Sequence, residues 1–126
     1  MNFPDNLKYT KDHEWISLQG KIGTIGVTDY AQGELGDVVF VDIDPNKKNI
    51  NAGESIGTIE AVKTVSDIFA PCNGKIVEVN SGLQSTPEVV NTDPYGAGWM
   101  VKIEVSNPSD LNSLLDSKAY KELIGK

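Results

Sequence analysis

Apolar and polar residues alternate in short runs along most of the chain, and glycine, proline or asparagine separates one run from the next. The clearest case is the segment 99–105, where the odd positions from Trp99 to Val105 are apolar and Lys102 and Glu104 lie between them. Alternation with a period of two is typical of a strand with one buried face. The pattern therefore predicts a mainly β chain, with core strands over about residues 7–105.

Helix signals occur in two places. Thr28 is a good N-cap and Gly36 a good helix end, so residues 29–35 are predicted to form a short helix. After Pro108 the apolar spacing changes from two to about 3.6 residues, which predicts C-terminal helices over about residues 109–124. Their expected caps are Ser109 and Ser117. The residues expected to face inward are Leu111, Leu114, Leu115, Tyr120, Leu123 and Ile124.

Three turn signals divide the second half of the chain. The pair Asn73-Gly74 predicts a tight hairpin turn. Thr86 followed by Pro87 predicts one helical turn with Thr86 as its cap. The tetrapeptide Asp93–Gly96 has the Asp, Pro and Gly positions of a type I turn.

One bend lacks these ordinary turn residues. Residues 56–62 and 65–69 are predicted to be two strands, with Val62-Lys63-Thr64 at the bend between them. Hairpin turns normally contain glycine, asparagine or aspartate, so turn propensity does not explain this bend. Lys63 would be exposed at the tip, where a lysine-acylating enzyme could reach its amine. A charged loop tip is also an ordinary feature of a soluble surface.

Composition and charge exclude several classes of function. The 126 residues suit a single domain over residues 1–126, and the net charge of −7 leaves no basic face for nucleic acid. Cys72 and His13 are the only residues of their types, so we expect no disulfide and no Cys/His metal site. The chain has no signal-peptide pattern and no apolar run of membrane length. We expect a monomer without a membrane partner, either cytoplasmic or the mature form of an organellar protein.

The lysine bend and two further blocks resemble the glycine cleavage system H-protein family. That family usually has Glu-Ser-Val-Lys-Ala at its lipoylated lysine, and this chain has Glu-Ala-Val-Lys-Thr at 60–64. The loop that begins at Asp44 departs from the Leu-Pro usual in the family. The other matching segments keep the family's order and spacing: Leu7-Lys8-Tyr9, His13-Glu14-Trp15, residues 25–31 and 35–39, Gly74-Lys75-Ile76, residues 87–91, Asp93–Gly96 and Gly98-Trp99-Met100.

The resemblance implies a lipoyl/biotinyl-type flattened β-barrel sandwich, a barrel-sandwich hybrid, with short helices and a helical C-terminus. It also implies a carrier and not an enzyme, with lipoate attached to Lys63. The implied partners are a lipoylating enzyme, a PLP-dependent glycine decarboxylase, an aminomethyltransferase and dihydrolipoamide dehydrogenase. The implied cargo is an aminomethyl group, and electrons pass to the dehydrogenase. Between encounters the loaded arm would rest in a cleft, for which Glu14, Asp67 and Asp12 are the implied carboxylate partners.

Three alternatives remain at the level of sequence. A biotin carrier normally has methionine on both sides of its lysine, and Val62 and Thr64 do not match that pattern. An enzyme using Lys63 for Schiff-base chemistry would need a buried lysine with a lowered pKa, which a bend does not provide. An H-like lipoyl relay, acting as a lipoate donor or in a stress response, stays open because Ala61 and Thr64 depart from the family pattern.

Overall fold

The structure is a computed structural model that describes residues 2–44 and 48–126. The predicted loop at residues 44–49 therefore lies partly outside the described residues. The strands are β1 (Lys8–Tyr9), β2 (Glu14–Gln19), β3 (Ile22–Val27), β4 (Val38–Ile43), β5 (Asn49–Ile50), β6 (Ser55–Ala61), β7 (Val65–Phe69), β8 (Gly74–Val79) and β9 (Val101–Val105). The helices are α1 (Asp29–Leu35), α2 (Val89–Thr92) and α3 (Ser117–Leu123), with 3₁₀ turns at Ser81–Gln84 and Pro108–Ser113.

The described strands form two antiparallel sheets with separate ladders. The larger has the order β1-β2-β3-β9-β8-β5 and the smaller has the order β4-β6-β7. Side chains from both sheets contribute to one buried apolar cluster, in which Ile25 and Ile103 come from the larger sheet and Ile59 and Ile68 from the smaller. This arrangement confirms the predicted mainly β fold as a flattened sandwich.

A second cluster, largely aromatic, joins the two ends of the chain. Tyr9 of β1 stacks on Tyr120 of α3 with ring centroids 4.8 Å apart, and Phe3 meets Tyr120 edge to face. Both tyrosines are fully buried. The C-terminal helix therefore packs against β1 and the N-terminal segment through aromatic side chains. None of the described helices is long and apolar enough to cross a membrane.

The predicted C-terminal helices are present, but details of their caps and faces are wrong. The first is a 3₁₀ turn capped by Asn107, whose side chain accepts from the N–H of Ser109. Asp116, and not Ser117, caps α3, because its carboxylate accepts from the N–H of Ala119 at 2.8 Å. Leu115 bridges to Tyr9 as a short strand contact, and Leu123 is exposed.

The other turn predictions divide between right and wrong. The Thr28 cap is confirmed, because its side chain accepts a hydrogen bond from the N–H of Ala31. The turn at Asp93–Gly96 is confirmed by a 3.2 Å hydrogen bond from the N–H of Gly96 to the carbonyl oxygen of Asp93. The hairpin turn at Asn73-Gly74 is wrong, because β7 and β8 belong to different sheets. Gly74 serves close approach instead, since a Cβ there would lie 2.6 Å from the backbone oxygen of Glu104.

The segment after Thr86 does form a helical turn, but Thr86 is not its cap. The Thr86 hydroxyl donates to the backbone oxygen of Gly82 at 3.1 Å, so it serves the preceding 3₁₀ turn. Glu88 occupies the N-cap position of α2 and its side chain makes no capping bond. The short helix is therefore anchored by its buried Val90.

Candidate functional site

Lys63 lies exposed at the tip of the β6–β7 hairpin. The bend is closed by a 2.8 Å hydrogen bond from the N–H of Ala61 to the carbonyl of Thr64. A second bond, of 3.0 Å, runs from the N–H of Val62 to the carbonyl of Asp37, which lies just beyond α1. The bend therefore needs no special turn residue, because a contact with a distant part of the chain holds it.

The segment beneath the lysine is itself held by Asn91. Gly36 adopts a left-handed conformation with φ of 79°, and a Cβ there would lie 3.2 Å from Cε of Lys63. Asn91 donates to Gly36 O at 2.8 Å and to Gln32 Oε1 at 3.0 Å, and it accepts from Val38 N–H at 2.9 Å. One amide side chain thus ties the end of α1 to the start of β4. Sequence reasoning matched Asn91 to a family motif but assigned it no role.

A cleft of about 320 Å³ opens between α1, the start of β2 and the hairpin strand β7. It brings together all three carboxylates that the resemblance implied, namely Asp12, Glu14 and Asp67. The remaining lining residues are His13, Val27, Tyr30, Ala31, Glu34, Leu35, Ile59 and Ser66. The cleft therefore combines apolar walls with carboxylates, next to the strand that follows Lys63.

Glu14 is the buried carboxylate of this cleft, with 1% of its surface exposed. The Thr10 hydroxyl donates to its Oε1 at 2.8 Å, and the N–H of Phe69 donates to its Oε2 at 3.2 Å. Burial raises the pKa of Glu14 to about 8, and these two hydrogen bonds only partly oppose the shift. Near neutral pH Glu14 is thus largely protonated, and a cation entering the cleft would favour its ionised form. Asp12 and Asp67 are exposed at the cleft's edge.

His13, between Asp12 and Glu14, has a φ of 69°, the single positive φ at a non-glycine residue in the described chain. Its Nδ1 lies 2.8 Å from the hydroxyl of Tyr120, which in turn lies 2.8 Å from Oγ1 of Thr28. Burial lowers the pKa of His13, although Asp12 and Glu34 oppose this. A neutral imidazole does not repel a cation in the cleft. The contact with Tyr120 had no sequence signal, since 107 residues separate the two rings.

These side chains suit a covalently attached acyl arm better than a catalytic or metal centre. The exposed amine can be acylated, and the apolar walls and carboxylates beside it can receive an apolar arm with a cationic end. Within residues 2–44 and 48–126, no group of three or more His, Cys, Asp or Glu side chains could hold a metal ion.

Comparison with known proteins assigns the family. Residues 7–126 match the family described as Glycine cleavage H-protein. The chain belongs to the glycine cleavage H-protein family. The glycine cleavage system H protein of Chlorobium limicola is 56% identical over 128 residues, covering 100% of both chains. That of Bacteroides fragilis is 53% identical over 124 residues, covering 98% of each.

A solved structure agrees with the family assignment. The crystal structure of a glycine cleavage system H protein from Mycobacterium marinum has a TM-score of 0.89 and 38% identity, and the match covers 98% of this chain and 100% of that one. The predictions of a non-catalytic carrier component and of glycine cleavage are therefore confirmed at the level of the family. The matches support this function and not the alternative of a relay outside glycine cleavage.

Proposed function

We propose that Lys63 carries lipoate as an amide on Nζ and that this arm transports the aminomethyl group of glycine. The observation that supports the proposal is the exposed Lys63 on its tertiary-held bend, beside a cleft containing Glu14, Asp12 and Asp67. A bound lipoyl group would supply a disulfide ring that is reduced when it accepts the aminomethyl group and is reoxidised afterwards. Acylation would also remove one positive charge, taking the net charge from −7 to −8.

The proposed partners follow from membership of the glycine cleavage system. They are a PLP-dependent glycine decarboxylase, an aminomethyltransferase, dihydrolipoamide dehydrogenase and a lipoylating enzyme. We also propose a cytoplasmic location, which the bacterial relatives support, and a monomer in which residues 1–126 act as one domain.

Glu14 would bind the cationic end of the loaded arm. An aminomethyl group is cationic near neutral pH, and a cation within a few ångströms of a buried carboxyl favours its ionised form. Glu14 would then release its proton and pair with the cation, while Thr10 and Phe69 keep their hydrogen bonds to the two carboxylate oxygens. Asp67 and Asp12 would add negative potential at the entrance, and the apolar walls would exclude water.

The attachment site is tested by intact mass after lipoylation. We expect the wild type to gain the mass of one lipoyl group and Lys63→Arg to gain none. Lys75→Arg, which changes another exposed lysine, should be modified like the wild type. Modification of Lys63→Arg would remove Lys63 from the proposed role. Glycine–bicarbonate exchange in a reconstituted system then separates glycine cleavage from a relay role, because a relay would be lipoylated without supporting exchange.

The role of Glu14 is tested separately on lipoylated, aminomethyl-loaded protein. We expect Glu14→Gln to release the aminomethyl group to solvent several-fold faster than wild type. Glu104→Gln, at an exposed position on β9, should release it at the wild-type rate. Equal release from Glu14→Gln and wild type would remove Glu14 from this role and leave the attachment site unaffected.

A further inference from the structure

The hydroxyl of Tyr120 contacts the walls of the cleft from behind. Tyr120 belongs to α3, is fully buried and does not line the cleft itself. Its hydroxyl oxygen lies 2.8 Å from Nδ1 of His13 and 2.8 Å from Oγ1 of Thr28. His13 lines the cleft, and Thr28 caps α1, which forms another part of the lining. One hydroxyl therefore joins two separate segments that build the cleft.

A backbone contact completes a triangle of hydrogen bonds among these three residues. The N–H of Thr28 donates to the carbonyl of His13 at 3.0 Å, while the Tyr120 hydroxyl joins their side chains. His13 has a φ of 69°, a conformation that costs energy at a non-glycine residue and persists only where its surroundings hold it. The triangle holds it. Because Asp12 and Glu14 flank His13, its backbone conformation also determines how these two carboxylates are placed.

The hydrogens of the triangle can be assigned from the partners that are present. Thr28 is fully buried, and its Oγ1 accepts from the N–H of Ala31 at 3.1 Å. Its own hydroxyl hydrogen then has one acceptor among residues 2–44 and 48–126, which is the Tyr120 oxygen. Buried hydroxyls are hydrogen-bonded, so Thr28 donates to Tyr120, and Tyr120 donates to Nδ1 of His13. The neutral imidazole therefore carries its proton on Nε2.

We propose that the Tyr120 hydroxyl is a positioning group for the loaded arm, because it fixes His13 and the start of α1 as walls of the cleft. The inference rests on the proposed aminomethyl-carrying arm and extends it to a residue outside the cleft. Without this hydroxyl, Thr28 and His13 keep only their backbone contact. The two walls can then separate and admit water to the loaded group, although Tyr120 makes and breaks no bond of the arm.

Tyr9 provides a matched control in the same aromatic cluster. Its ring stacks on that of Tyr120 with centroids 4.8 Å apart, and both side chains are fully buried. The Tyr9 hydroxyl donates to the carbonyl of Pro4 at 2.6 Å, and neither residue lines the cleft. Tyr9→Phe and Tyr120→Phe thus each remove one hydroxyl from neighbouring buried rings, but only Tyr120→Phe breaks the triangle.

The test measures the release of the aminomethyl group to solvent from lipoylated, loaded protein, together with nitrogen NMR of the His13 imidazole. For Tyr120→Phe we expect release several-fold faster than from wild type, and a mixture of both neutral tautomers in place of the form protonated on Nε2. Tyr9→Phe should keep the wild-type release rate and the wild-type tautomer. Urea unfolding of both variants shows whether they are folded and compares their losses of stability.

Either a wild-type release rate or a wild-type tautomer in folded Tyr120→Phe would overturn the inference while the role of Glu14 stands. Equal acceleration in Tyr9→Phe would also overturn it, because the effect would then come from the aromatic cluster as a whole. If Tyr120→Phe does not fold, His13→Ala breaks the same hydrogen bond from its other end, and release at the wild-type rate there would overturn the inference. Absence of any lipoylation of wild-type Lys63 would refute the proposed function and this inference with it.

Discussion

Replacing Asn91 with alanine should loosen the lysine bend from a distance. Asn91 holds Gly36 and Val38 on either side of Asp37, whose carbonyl accepts from Val62 N–H. In Asn91→Ala the N–H of Val38, a residue with 3% exposure, loses its acceptor and the carbonyl of Gly36 loses a donor. Leaving such groups unpaired costs about 1–3 kcal/mol for the more buried one, so we expect a total loss of ~2–4 kcal/mol.

That loss should leave the protein folded, because domains of this size are stable by about 5–15 kcal/mol. The assays are urea unfolding, hydrogen exchange of the Val62 amide and the rate of Lys63 acylation. We expect faster exchange of the Val62 amide and several-fold slower acylation than in wild type. The effect on acylation arises because the bend loses its fixed position against the segment after α1.

Asn80 offers a matched control. It also makes three hydrogen bonds, to Gly82 N–H, Ala97 O and Trp99 O, and none of these partners belongs to the lysine bend. Asn80→Ala should lower stability without changing exchange at Val62 or acylation of Lys63. If Asn91→Ala loses stability while exchange at Val62 and acylation stay at wild-type values, the argument that Asn91 positions the bend is wrong.

Three further predictions concern Glu14, His13 and a pair of glycines. Burial raises the pKa of Glu14 from 4.5 to about 8, so the folded state binds this proton more tightly than the unfolded state does. The resulting stabilisation of the folded state is lost as the pH rises through 8. Between pH 5 and 8.5, the free energy of unfolding of wild type, measured in urea, should therefore fall by ~2 kcal/mol or more relative to that of Glu14→Gln. Parallel plots of this free energy against pH for the two proteins would contradict the raised pKa. Burial lowers the pKa of His13, so the neutral side chain stabilises the folded state and this stabilisation is lost as the pH falls below 6.5. NMR of this one histidine should give a pKa below 6.5. A value at or above 6.5 would contradict its burial in the neutral form. Gly26→Ala should lower the free energy of unfolding by ~1–3 kcal/mol, because its Cβ would lie 2.8 Å from the buried Trp15 ring. Gly33→Ala, in α1 with open space around it, should raise the free energy of unfolding by up to ~1 kcal/mol. Equal unfolding midpoints for the two variants would contradict both predictions.

Local signals predicted the elements that depend on local chemistry. Alternating residues identified β9, and Thr28 with Gly36 identified both ends of α1 as observed. These predictions succeed because a period of two or a side-chain cap involves residues within a few positions of one another. The exposed Lys63 was also predictable, since two β-branched runs on either side of a short polar gap form a hairpin.

Local signals failed where the same residues can serve two structures. Asn73-Gly74 is a good hairpin signal, yet the chain there passes from one sheet to the other and Gly74 makes room for the carbonyl of Glu104. Ser109 and Ser117 were plausible caps, but Asn107 and Asp116 occupy those positions. The two cap errors concern the choice between neighbours of similar propensity, which the packing of the finished fold decides.

The sequence by itself determined that this chain forms short strands, one capped helix and a hairpin with an exposed lysine, and its motifs indicated the family. Only the tertiary structure decided that Asn91 and Asp37 support that hairpin, that four carboxylates line one cleft, and that Tyr120 contacts His13. These contacts join residues that are tens of positions apart, and their energies depend on burial and exact distance. Neither quantity exists until the two sheets and the terminal helix pack together.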